Sequence, residues 1–188
     1  MNRCKLVDLH RLLEFIQTYE LIPKRGTKPF RQYCRIYEEL IKSVPNMAGI
    51  YIWVGPTCKR IYRYVGISAE GLQNRFDDEF WQEYTVHWET VHGETPTVSL
   101  ACQHYPKWIG KITSQSYRGK VGTKFIVYLE LPGWNEPKLR ELEAEFIKYF
   151  NPVANVDRRL PTGYLHDTAV ELENVFEKAI RSFDISVH

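Results

Sequence analysis

Tyr51 and Tyr64 are the first residues whose spacing points to chemistry. Each closes or opens a tripeptide with a glycine at its far end, Gly49-Ile50-Tyr51 and Tyr64-Val65-Gly66. Ile50, Ile52 and Val54 alternate with Tyr51 and Trp53, and Ile61, Arg63 and Val65 alternate with Tyr62 and Tyr64. Period-two alternation rich in aromatic and β-branched residues predicts two strands. Gly55, Pro56, Thr57, Cys58 and Lys59 between them supply turn chemistry for a hairpin. If Gly55 pairs with Arg60, Tyr51 lies directly across from Tyr64 on one face, and a slip by one residue would separate them. Two phenols side by side at one end of a hairpin, each in a tripeptide with a glycine, are more than a packing pattern requires.

A charged pair can be added from two helices. The stripe Leu72, Phe76, Phe80, Trp81 and Tyr84 predicts a helix from about Leu72 to Tyr84, with Arg75 in its first turn. A guanidinium there can swing back over the hairpin end, and its fork of donors suits a phosphate. Further on, Leu139, Leu142, Phe146, Ile147 and Phe150 form the apolar stripe of a helix opened by Glu136-Pro137. At about 100° per residue, Glu143 falls within roughly 40° of the centre of that stripe. Glu141 and Glu145 are expected to point the other way, into solvent. A carboxylate on a core-facing stripe is costly unless it is paired, protonated or bound to a metal.

Charge is unevenly distributed. The net charge of +2 says little, but Lys107, Lys111, Arg118, Lys120 and Lys124 follow one another with no acid from Thr95 to Leu129. Tyr105, Trp108 and Tyr117 interleave with them, a combination suited to phosphate contact and base stacking, or to a short helix packed on the body. Arg158 and Arg159 lie in a second basic loop, Asp157 to Gly163. His87, Glu89 and His92 form a grouping that lacks a further metal ligand at convincing spacing.

The tripeptides, the Leu72-Gln73-Asn74-Arg75 run, and the segment from Leu142-Glu143 through Pro152 to Asn155 together resemble the GIY-YIG nuclease superfamily. The layout is most similar to standalone restriction-type members. The resemblance covers about Ala48 to Val156. It implies a metal-dependent phosphodiesterase in which Tyr51, Tyr64, Arg75, Glu143 and Asn155 are catalytic. Glu143 would be the ligand of one Mg²⁺ or Mn²⁺, and Asn155 would position Glu143 or the backbone of the motif. The implied partner is DNA, double-stranded, gripped by Lys107, Lys111, Arg118, Lys120, Lys124, Arg158 and Arg159. The chain departs from the family pattern at Gly71, an extra residue before the arginine motif. It departs again at Ile67, where many members are basic, and at Glu79, where some carry histidine. A restriction or defence endonuclease is the leading expectation. A structure-specific repair nuclease that needs a partner and a non-catalytic binding module are the alternatives.

These residues need a scaffold. The expected fold is α/β: a small antiparallel three-stranded sheet, its third strand at Lys124–Leu131, flanked by helices. Residues 1–45 form a helical N-terminal extension, with one helix from Lys5 to about Tyr19 and another from Thr27. Residues 46–156 form the core with an insertion at 84–123, and 157–188 a C-terminal helical extension opened by a capping box at Thr168 and Glu171. The extension offers a possible homodimer surface. At 188 residues and 22.2 kDa the chain suffices for one domain. Hydrophobic content of 44% and mean hydropathy of −0.39 are those of a globular protein with no membrane span. Cys4, Cys34, Cys58 and Cys102 show no paired spacing, and the N-terminus lacks a leader pattern, so a cytoplasmic, reducing location is expected.

Overall fold

The computed structural model describes residues 4–18, 26–55, 62–77, 123–152, 155 and 159–186. In chain order these form β1 (Lys5–Asp8), α1 (His10–Thr18), α2 (Lys28–Lys42), β2 (Gly49–Val54) and β3 (Tyr62–Ser68). A helical segment at 72–77, α3, follows. Then come β4 (Phe125–Glu130), α4 (Glu136–Phe150) and α5 (His166–Ser186).

The sheet has four antiparallel strands in the order β1-β4-β2-β3, not the three expected. The added strand, β1, comes from the first residues of what the Lys5–Tyr19 periodicity predicts as helix. Lys5 to Asp8 pair with Tyr128 to Phe125, which occupies the otherwise unpaired outer edge of β4. Asp8 Oδ1 accepts from His10 N at 2.9 Å, an Asx turn that ends the strand and starts α1.

The hairpin register also differs from expectation. Tyr51 lies opposite Gly66 and Trp53 opposite Tyr64, two places from the expected pairing. Because the displacement is even, Tyr51 and Tyr64 still share a face. The ladder then shifts between Trp53 and Val54, which faces Tyr62, so Arg63 is the extra residue of a bulge. The bulge turns Tyr62 to the opposite side of the sheet, where its ring meets Phe150 edge-on at 4.9 Å.

Side-chain alternation along β2 feeds two separate cores. Tyr51 and Trp53 join Ile126 and Tyr128 under α1, α2 and α3. Ile50, Ile52 and Val54 join Phe125, Val127 and Leu129 under α4 and α5. Every residue of β2 is therefore buried. The C-terminal helix is part of this second core rather than an appendage, since Leu172, Phe176 and Ile180 are among its members. Its first turn begins at His166, so Thr168 lies inside the helix and does not cap it.

Packing of α5 on α4 overturns one expectation about the carboxylates. Glu145 is only 4% exposed, and Glu173 of α5 only 5%. Glu141 accepts from Thr162 N at 2.8 Å and Gly163 N at 3.0 Å, anchoring the loop before α5. Glu145 is not solvated as the single-stripe reading of α4 expects, because α5 covers that side, and Glu141 is half-buried against the loop that precedes α5. Burial, and then the neighbouring Glu145, push the Glu173 carboxyl from its ordinary 4.5 to about 7, with His166 and Lys148 opposing.

Between those two values the folded chain binds more protons at Glu173 than the unfolded chain does. Stability contributed there is present at low pH and lost as pH rises towards about 7. Glu173→Gln should therefore gain melting temperature relative to wild type as pH rises through this window. Thermal melts at a series of pH values check it, and parallel curves for the two proteins would refute it.

Candidate functional site at the sheet edge

β3 is an edge strand of the described sheet, and the candidate site wraps around it. A groove of about 420 Å³ runs along this edge, with Tyr64 and Arg75 on the α3 side and Glu136, Arg140 and Glu143 on the α4 side. Ser68 and Gly71 form its floor between strand and helix. Segments distant in sequence thus bring Tyr64, Arg75 and Glu143 into one groove.

Arg75 is held there by how α3 begins. Ser68 Oγ accepts from Gly71 N at 3.0 Å and donates to Gly71 O at 2.8 Å, closing the turn after β3. Gly71 has φ +148, and a side chain there would run into Asn46 Oδ1, at 1.8 Å from the position of a Cβ. The residue that looks like an insertion in the motif is thus the glycine this turn requires. Leu72 N donates to Met47 O at 2.8 Å, and Tyr37 Oη donates to Asp77 O at 2.8 Å, tying α3 to the segment before β2 and to α2.

Tyr51 lies beneath this arginine. Its ring is fully buried at 0% exposure, edge-on to Phe76 at 4.9 Å and 6.2 Å from Tyr64. Arg75 Nε donates to Tyr51 Oη at 3.3 Å. The two tyrosines therefore differ in setting: Tyr64 lines the groove, while Tyr51 meets it through Arg75. Gly66 explains the closeness of the rings. A Cβ there would stand 2.5 Å from Tyr51 Oη and 2.7 Å from Tyr64 Cε1, so the β2–β3 pair holds both rings at this place only because position 66 has no side chain.

Asn155 is buried and bonds to the strand backbone, not to Glu143 in any described contact. Its Oδ1 accepts from Val65 N at 2.8 Å and its Nδ2 donates to Val65 O at 2.9 Å. The amide thereby takes the place of a neighbouring strand and fixes the backbone between Tyr64 and Gly66.

On α4, Asn135 Oδ1 caps the helix by accepting from Lys138 N at 3.1 Å, and Asn151 ends it in the left-handed region at φ 46. Glu143 is half-buried and lines the groove. Arg140, which motif reading passes over, stands one turn before it. Its Nε donates to Glu136 Oε1 at 2.8 Å. The available signal was spacing, since residues three apart share a helix face.

The remaining candidates do not gather here. Lys124 is exposed at the Val54 end of the sheet and Arg159 is exposed in the loop before α5; neither lines the groove. Lys107, Lys111, Arg118, Lys120 and Arg158 lie outside the described residues, as do His87, Glu89 and His92. Among the described residues no group of three or more His, Cys, Asp or Glu could hold a metal, and no helix is long and apolar enough to cross a membrane. No family model, curated protein or solved structure matches the chain.

Two substitutions test this geometry by stability alone. Gly66→Ala forces a methyl into the tyrosine rings and should cost about 1–3 kcal/mol. Asn155→Ala strips both partners from Val65 and should cost about 1–3 kcal/mol. Urea denaturation measures both, and wild-type midpoints in either would refute the corresponding contact.

Proposed function

We propose that this chain is a divalent-cation-dependent phosphodiesterase of the GIY-YIG type that cuts DNA. The observation that supports it most is the convergence of Tyr64, Arg75 and Glu143 on one groove, with Tyr51 hydrogen-bonded to Arg75 beneath it. The motifs that resemble the family lie far apart in sequence, and a shared groove is what joint action on one phosphate requires.

The donor set fits a hard cation held sparingly. Glu143 offers carboxylate oxygens at an open groove, and Mg²⁺ keeps several waters and takes few protein ligands. Glu143 would hold it, and when bound it supplies charge stabilisation at the phosphate and the leaving oxygen. Arg75 presents its terminal nitrogens to the non-bridging oxygens while Nε stays on Tyr51. Arg140 adds a second guanidinium on the opposite wall. Tyr64 is the phenol that faces the groove and so orients the attacking water or takes its proton. Tyr51, fully buried, is the group that aims Arg75. Asn155 acts as a positioning residue by holding the Tyr64–Gly66 backbone.

The test is plasmid cleavage with Mg²⁺ and with EDTA. We expect Mg²⁺-dependent cutting, lost in Glu143→Gln while DNA binding persists, because removing a negative charge beside phosphates does not weaken attraction. Tyr64→Phe and Tyr51→Phe should both lose cleavage, the former without change in affinity. Arg140→Ala should raise the apparent KM more than it lowers kcat. Full cleavage by Glu143→Gln would sink the reading. Cutting confined to branched substrates would favour the structure-specific nuclease.

A further inference from the structure

A second cavity lies between α4 and α5, built on the opposite side of α4 from Glu143. It has a volume of about 450 Å³ and is lined by Glu145, Lys148 and Tyr149 from α4 and by His166, Val170 and Glu173 from α5. Two glutamates, each more than nine-tenths buried, open into this one space. Glu145 Oε2 lies 3.7 Å from His166 Nδ1. Glu173 receives no hydrogen bond and no ion pair from any described residue. Lys148 reaches the same cavity but stands beyond ion-pair distance of both carboxylates.

Two carboxylates in one sheltered cleft repel each other and lose hydration, so the arrangement gains from a positive charge delivered between them. The size of the cavity indicates what kind. A metal ion with a few waters, at about 30 Å³ each, would leave most of it empty, whereas pockets for small organic ligands start at about 300 Å³. No described cluster offers three metal-ligating side chains. Part of the rim is hydrophobic: Tyr149 and Val170, both lining the cavity, are 51% and 42% exposed, beside the exposed polar Lys148, His166 and Asn174. An alkyl chain could lie along Val170 and the Tyr149 ring while its charged end reaches the glutamates.

We propose that the α4–α5 cleft binds an organic cation, an ammonium or guanidinium group carried on an alkyl chain, with Glu145 and Glu173 as its anionic partners. The site is independent of the nuclease reading, since it shares no lining residue with the groove at β3.

Calorimetric titration of the full chain at about pH 8, where Glu173 with its value of about 7 is ionised, tests this. Putrescine serves as the free-amine probe and N-acetyl-arginine amide as the stand-in for a partner protein's side chain. We expect saturable one-site binding of at least one probe, and the tighter of the two identifies the source. Glu173→Gln and Glu145→Gln should each weaken binding about tenfold or more, as loss of a charge-assisted contact does. Melting curves confirm that each variant is folded, and the pair guards against failure of either one. Absence of binding by both probes, binding unchanged in both folded variants, or displacement of the probe by stoichiometric Mg²⁺ would overturn the proposal.

Discussion

The closeness of the Tyr51 ring to the backbone at Gly66 constrains the whole sheet edge. A strand in the middle of a sheet buries both its faces, so β2 must place a large aromatic side chain under α1, α2 and α3. The register puts Gly66 directly opposite, and the ring fills the space that any larger residue there would need. Its hydroxyl is then delivered to the edge, where Arg75 donates to it. A dispersion-packed ring thus carries a polar group across the core to the β3 edge of the sheet. Had β3 slipped by one residue, Tyr64 would have moved to the α4 face and the groove would have lost its phenol.

Both ends of the chain serve that arrangement. The N-terminal segment contributes β1, which pairs with the outer edge of β4 and makes β1 and β3 the two edge strands of the described sheet. Asn155 answers the unpaired backbone of β3 with one side-chain amide instead of another strand. This substitution satisfies the polar groups without covering the groove, as a full strand would. On the far face α5 pins α4 through Phe146 against Phe176, edge-on at 5.2 Å. Glu143 is held by a helix buried on two sides, which limits how far its carboxylate can wander.

What the sequence made legible follows from how local the signals are. The β2–β3 pair, β4 and the helices from Lys28 and Glu136 are marked by period, proline and capping residues within their own stretch. The parity of the two tyrosines was legible for the same reason, while their exact pairing was not, because the Arg63 bulge displaces the ladder. β1 was hidden by leucines whose spacing also suits a helix. Its strand conformation is set by β4, more than a hundred residues away, through pairing that no local window contains. Glu145 was misplaced for a related reason, since one apolar stripe identifies one buried face and the second comes from α5. The role of Asn155 was half legible: the motif marks the residue, and only the fold assigns its amide to Val65.

Charge in the groove gives the proposed reading its internal logic. Glu70, Glu136 and Glu143 face Arg75 and Arg140, so the lining carries one more negative than positive charge. A phosphodiester entering alone meets a net repulsive wall, despite two guanidinium groups suited to its oxygens. One divalent cation held by Glu143 would reverse the balance and make the groove complementary to a single phosphate. Guanidinium groups on both walls would then grip the phosphate only when Glu143 is neutralised, so that binding and the capacity to cut arise together. The Glu136–Arg140 pair is held within one helix, so Arg140 keeps its place on the wall before any phosphate arrives. In that reading the departure at Ile67 has a physical sense: the positive charge absent from the strand is supplied from α4.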